Sequence, residues 1–151
     1  MYDSTYDTKR HKRNIEMVLG KAIKELEYRM AVHDNSKLIS PEKETYDHYI
    51  PLLKKTKYGT PQYDKLKAEM SKNGLEHHFE MNSHHPEHYS NGINDMDLYD
   101  LFEMFHDWYA ASLLSDTSFE SGLESNIQKY NISPQLAGIM RNTYERYIKE
   151  K

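Results

Sequence analysis

Four kinds of position in this sequence could do metal chemistry: His11, the adjacent pair His33-Asp34, the histidines His77-His78 and His84-His85, and Asp107. Each interrupts text that otherwise reads as apolar and helical. Imidazole with carboxylate suits Mn, Fe, Co, Ni or Zn, and carboxylate alone suits Mg. The chain has nine histidines, five of them between His77 and His88, and no cysteine. Without thiols there is no disulfide scaffold, thiolate zinc site, iron–sulfur cluster or cysteine nucleophile. An oxygen-and-nitrogen donor set for a divalent cation remains.

Spacing sharpens this. His33 and Asp34, at the end of a helical pattern, can reach two ions from one short stretch of backbone, with the carboxylate as a bridge. Ions held about 3.5–4 Å apart activate a water and clamp phosphoryl oxygens. His78, Asn82 and His85 fall at steps of four and three, and His77 and His84 are seven apart. Either set shares a helical face, so His77 and His78 are both open as the ligand. Asp107 lies between His106 and Trp108 in an apolar helix, and a carboxylate buried there wants a cation. Asp100 and Glu103 precede it at helical spacing and read as a solvated stripe or as a support for the ligands. His88 is borderline; His48 and His106 read as incidental.

The elements that must position these residues are helical. Ile15, Val18, Leu19, Ala22, Ile23, Leu26 and Met30 mark one buried face of a helix from about Thr8 to Val32. Gly20 could break it. Ser40-Pro41-Glu42 reads as a helix start, with Ser40 as cap and Pro51 as a later kink. After a turn at Tyr58–Pro61, Thr60-Pro61 opens a helix over 62–71 that Asn73-Gly74 closes. A histidine-rich helix spans about Leu75–His84 and stops before Pro86. Pro86–Asn94 is a polar loop, and Asp95 caps a helix from Met96 to about Leu114. Its apolar set is Leu98, Leu101, Phe102, Phe105, Trp108 and Leu113. Two more helices follow, near Thr117–Tyr130 and Pro134–Ile148. The pattern predicts an all-α fold: a single-domain bundle of six to seven helices over 8–151, with flexible ends at 1–7 and in the last three residues.

Composition bounds the partners. The 151 residues are 37% hydrophobic and 29% charged, with a mean hydropathy of −0.95. No stretch approaches the roughly 20 apolar residues of a membrane span, and there is no cationic apolar leader. A net charge of −4 argues against a nucleic-acid partner, which usually needs a basic face. The basic run Lys9-Arg10 with Lys12-Arg13 could still draw an anion. The tyrosine-rich last helix could pack on the core or on a second copy.

The order His11, His33-Asp34 and Asp107 resembles the HD-domain superfamily of metal-dependent phosphohydrolases. His33-Asp34-Asn35-Ser36-Lys37 with Pro41 is similar to the HD-x-x-K…P run of the HD-GYP phosphodiesterases, and His84-His85 to their second histidine pair, although no Gly-Tyr-Pro follows. A closer resemblance is to a small HD-like family of phages and bacteria. Its pattern is His-Lys, HD-x-SK-x-x-P-x-E, HH-x-x-x-N-x-HH and EM-x-x-DW-x-x-A. Here these read His11-Lys12, then His33 through Lys37 to Pro41 and Glu42, without the usual spacer. They continue with His77-His78 through Asn82 to His84-His85, and Glu103-Met104 through Asp107-Trp108 to Ala111. The resemblance covers about 11–111, leaving 115–150 as a helical extension.

This resemblance implies an HD-like fold, a cytoplasmic place in a bacterium or phage-infected host, and hydrolysis of a nucleotide or other phosphate ester by metal-activated water. One or two divalent ions (Mn, Fe, Co, Ni, Zn or Mg) would be held by His11, His33, Asp34 and Asp107, and by His78, His84 and His85. Lys37 would neutralise a phosphoryl oxygen. Arg29, Asn82 and His88 would contact substrate, and His77 and Glu103 would support the ligands. Arg29 could equally pair with Glu25. His11 belongs only if the chain turns back near Gly20, because 22 helical steps of about 1.5 Å would place it roughly 33 Å from His33. The competing functions are a metal- or nucleotide-binding module without turnover, such as a phage factor sequestering a signalling nucleotide, and a helical interaction protein with structural histidines.

Overall fold

The computed structural model describes residues 2–57, 59–114 and 117–149. Tyr58 of the expected turn, the start of the extension at Ser115-Asp116, and Met1, Glu150 and Lys151 of the expected flexible ends lie outside them. The fold is all-α, with seven α-helices and no strand among the described residues. Within this all-α fold the chain forms two compact units, Met1–Asn35 and Ser36–Lys151.

The first unit is helix α1, Thr5–Val32. It begins three residues before the sequence pattern does, so Thr5–Asp7 are helical rather than part of a loose end. It also runs unbroken through Gly20, where an added Cβ would meet nothing within 4 Å. His11 is thereby corrected out of the site: it and His33 stand at the two ends of one rod, about 33 Å apart at helical rise. A second correction concerns the apolar face. Ile15, Val18, Leu19, Ile23 and Met30 are all exposed. Periodicity identifies residues that share a face, but not whether anything covers that face.

α1 ends in a left-handed turn. The backbone N–H of His33 donates to Arg29 O at 2.8 Å, and Asp34 has φ +55°. Glycine is the usual occupant of such a position, because a Cβ there crowds the backbone.

In the second unit, α2 spans Glu42–Lys55 and continues through Pro51. Its cap is Pro41 rather than Ser40, one residue later than the sequence suggested. Thr60 caps α3, Pro61–Met70, by accepting from the Tyr63 N–H at 3.3 Å. This helix does not stop at Asn73-Gly74. It passes through a π-helical turn, Ser71–Leu75, into α4, Glu76–Met81. One continuous rod thus carries His77 and His78, while His84 and His85 fall in the turn beyond it.

Gly74 is required there by packing. A Cβ at this position would lie 2.7 Å from Thr45 Cγ2 on α2, so the glycine lets the two helices approach.

Asp97, not Asp95, caps α5, Leu98–Ser112. Ser118 caps α6, Phe119–Lys129, and Ser133 caps α7, Pro134–Thr143. The core joins these three helices. Met104, Phe105, Phe119, Leu123, Ala137 and Met140 are buried there, with Phe105 and Phe119 edge to face at 5.4 Å. The apolar set expected on α5 is shifted, since Leu98, Phe102 and Leu113 are exposed and Met104 is fully buried. Gly74→Ala should lower stability by about 1–3 kcal/mol through overpacking against Thr45, read as a lower melting temperature.

Candidate metal centre

The second unit gathers its histidines by two routes. α4 delivers His78 from the end of the α3–α4 rod, and the turn after it delivers His84 and His85. His78 and His84 are almost fully buried. One ring nitrogen from each of His78, His84 and His85 lies within 4.8 Å of the other two. The Nε2 atoms of His78 and His85 are 2.9 Å apart, close enough to share a proton or an ion. This answers the choice the spacing left open. His78 enters the cluster, whereas His77 stands at its edge with its side chain 35% exposed.

Helix α5 faces this turn with acids one helical turn apart. Asp107 offers a carboxylate oxygen within 4.8 Å of a His84 ring nitrogen. Glu103 Oε1 lies 3.3 Å from His84 Nδ1. The buried Nε2 of His84 makes no hydrogen bond among the described residues.

Asp100, which the spacing allowed as a solvated stripe, is buried. Its Oδ1 accepts from Ser83 Oγ at 2.7 Å. Its Oδ2 accepts from Tyr89 OH at 2.5 Å and from the Asp97 N–H at 3.1 Å. One carboxylate therefore closes the capping box of α5 and grips both ends of the segment that carries His84 and His85.

Behind His78 lies a group that the sequence reading did not place in the site. Glu42 is fully buried. Its Oε1 is 2.7 Å from His77 Nδ1, and its Oε2 is 2.9 Å from both His78 Nδ1 and Ser36 Oγ. Burial alone would push this carboxyl up, but the hydrogen bonds from His77, Ser36 and His78 hold it below the usual range. Glu42 was legible as a helix start and as a member of the HD-like pattern, with no role in the site. Its closeness to the HD motif was visible in the sequence, but its pairing with histidines 35 and 36 residues away was not.

Other expected residues fall differently. Asn82 is corrected from substrate contact to brace: it is buried, and its Nδ2 donates to Ser36 Oγ and to His78 O, each at 2.8 Å. His88 donates from Nδ1 to Phe79 O at 2.7 Å. Lys37 Nζ sits 5.3 Å from the Tyr46 ring centroid. In the first unit Arg29 Nε donates to Glu25 Oε1 at 3.0 Å, the structural pairing weighed against a phosphate contact. His33 Nε2 and Asp34 Oδ2 are 3.6 Å apart. His106 donates to Phe102 O, in keeping with an incidental role.

Three converging imidazoles, with the Asp107 carboxylate beside one of them and no thiolate, fit a borderline divalent ion such as Mn, Fe, Co, Ni or Zn better than Mg or Ca, which prefer all-oxygen sites. The class defined is thus an all-helical protein with a histidine–carboxylate cluster suited to metal. Over residues 1–146 the chain matches DUF5662, described as a family of unknown function, and it belongs to that family. No curated protein and no solved structure matches it.

The Asp100 clamp has a titration signature. Burial and then the Asp100 carboxylate push the Tyr89 hydroxyl from 10.0 up to about 12. A raised value means that the stabilisation is complete below the unfolded value and is lost as pH climbs through the folded one. Stability should therefore fall between about pH 10 and 12 in a way that Tyr89→Phe abolishes, as read by denaturant midpoints across that range.

Proposed function

We propose that this protein is a metal-dependent phosphohydrolase acting on a nucleotide or another small phosphate ester. The observation that carries the reading is the convergence of His78, His84 and His85, with Asp107 beside His84, drawn from two helices and a turn. Such a ligand set, once loaded, supplies an activated water and neutralises charge at phosphorus. The buried imidazoles bring nitrogen donors that lose no competing contact with bulk water, and Glu103 steadies His84 from the far side of its ring. Lys37, just beyond the HD pair, brings a cation to the same stretch of chain and serves a phosphoryl oxygen. His33 and Asp34 are assigned to an ion by their motif alone. The left-handed φ of Asp34 supports a functional reason for that side chain, since glycine would sit there with less strain.

The near-complete burial of His78 and His84 also favours a second reading, in which the chain holds a metal or nucleotide without turnover. Closed sites are usual for structural ions, whereas catalytic sites keep a position open.

Elemental analysis of the purified protein, then a screen of nucleotides, cyclic nucleotides and model phosphodiesters with the metal found, separates the readings. Hydrolysis that falls at least about 100-fold in His84→Ala and Asp107→Ala, together with metal content, supports the enzyme. Stoichiometric metal with no product on any substrate favours the binding module, and wild-type protein free of metal removes the enzyme and the metal-binding module alike. Asp34→Gly is expected to melt at the same or a higher temperature, relieving up to about 1 kcal/mol of backbone strain, while losing metal or activity. Full activity in that variant would exclude Asp34 from the site.

A further inference from the structure

Glu42 lies outside the proposed ligand set, yet it is a fully buried ionisable side chain at the first turn of α2. A carboxylate taken out of water costs several kcal/mol unless donors replace the solvent. It has three: His77 Nδ1 on one oxygen, and His78 Nδ1 with Ser36 Oγ on the other.

An ionised carboxylate can only accept, so each imidazole facing it carries its proton on Nδ1. For neutral His78 that places the lone pair on Nε2, the nitrogen that stands 2.9 Å from His85 Nε2 inside the cluster. Asn82 Nδ2 also lies 3.1 Å from His78 Nδ1, but its two amide protons go to the nearer acceptors, Ser36 Oγ and His78 O, each at 2.8 Å. The serine is thereby turned so that its own proton points at Glu42.

We propose that Glu42 is the positioning residue of the metal centre. It locks His78 in the Nδ1–H tautomer and aims Nε2 at the ion, with Ser36 and Asn82 as its brace. A carboxylate behind a ligating imidazole also makes that imidazole a stronger donor. This gives a task to Ser36 and Glu42, two members of the HD-like motif that hold neither ion nor substrate. The inference rests on reading the cluster as a metal centre.

Glutamine is the informative replacement. It keeps the size of glutamate, but its amide offers one acceptor and one donor where two acceptors are needed. Either His77 or His78 must then give up its bond or reverse its tautomer, and reversal at His78 puts a proton on the ligating nitrogen.

The test titrates full-length wild type, Glu42→Gln and Ser36→Ala with Co2+, whose absorption spectrum reports imidazole ligation, alongside melting of the metal-free proteins. Glu42→Gln is expected to weaken Co2+ roughly 10–100-fold while the metal-free protein stays folded, melting somewhat below the wild-type temperature. Ser36→Ala, which spares both imidazole bonds, should lose only a few-fold. Wild-type affinity in Glu42→Gln, or a loss matched by collapse of the metal-free fold, overturns the positioning role. If the wild type itself binds no Co2+, the metal-centre reading falls and this inference with it. Imidazole 15N spectra of metal-free wild type decide the matter without any variant: proton on Nδ1 of His78 is expected, and proton on Nε2 overturns the proposal.

Discussion

The second unit depends on one buried carboxylate. Glu42 cannot lie in the interior of a helical protein without donors, and its three donors come from two stretches of chain: Ser36 before α2, and His77 and His78 at the far end of the α3–α4 rod. Satisfying the charge therefore sets where that rod must lie against α2. The approach is possible because Gly74 presents no side chain to Thr45. It is also helped by the π turn at Ser71–Leu75, which lets the helix continue where the sequence reads as a stop. Insertions of this kind re-aim the residues that follow, and they recur at functional sites.

A second buried carboxylate acts the same way on the segment that carries His84 and His85. Asp100 satisfies the first turn of α5 and, with its remaining capacity, holds Ser83 and Tyr89. The segment between those two residues has only short 3-10 bonds of its own, His88 N–H to His85 O and Tyr89 N–H to Pro86 O, and these side-chain bonds add to its order. α5 is a firm base for them because Met104 and Phe105 are sealed into the core with Phe119 and Tyr144. The histidines are thus held between two buried acids, each anchored to a different helix. Asp107 and Glu103, further along α5, meet His84 from the same platform.

Much of the helical framework was legible from local chemistry. Thr60-Pro61 and Ser133-Pro134 mark helix starts because a side-chain acceptor followed by a residue without an N–H suits the first turn wherever it occurs, and both cap as read. The readings that failed were those needing a neighbour to be known. Asn73-Gly74 looks like a helix end, since nothing in the chain announces that Thr45 will press there. Asp95 looks like a cap, but Asp97 has the acid three residues on that completes a capping box. The α1 stripe looks buried, but a stripe is a property of one helix and burial a property of two.

The sequence by itself determined the all-helical character, the donor chemistry without thiolate, and the residues from which a site must be drawn. It also implied that His11 could take part only if α1 turned back. Tertiary structure decided that α1 does not turn, that His78 rather than His77 joins His84 and His85, that Asn82 braces rather than binds, and that Glu42 stands behind the cluster. The physical reason is that residue type and helical period are local properties, whereas satisfying a buried charge requires partners that only folding brings within hydrogen-bond reach.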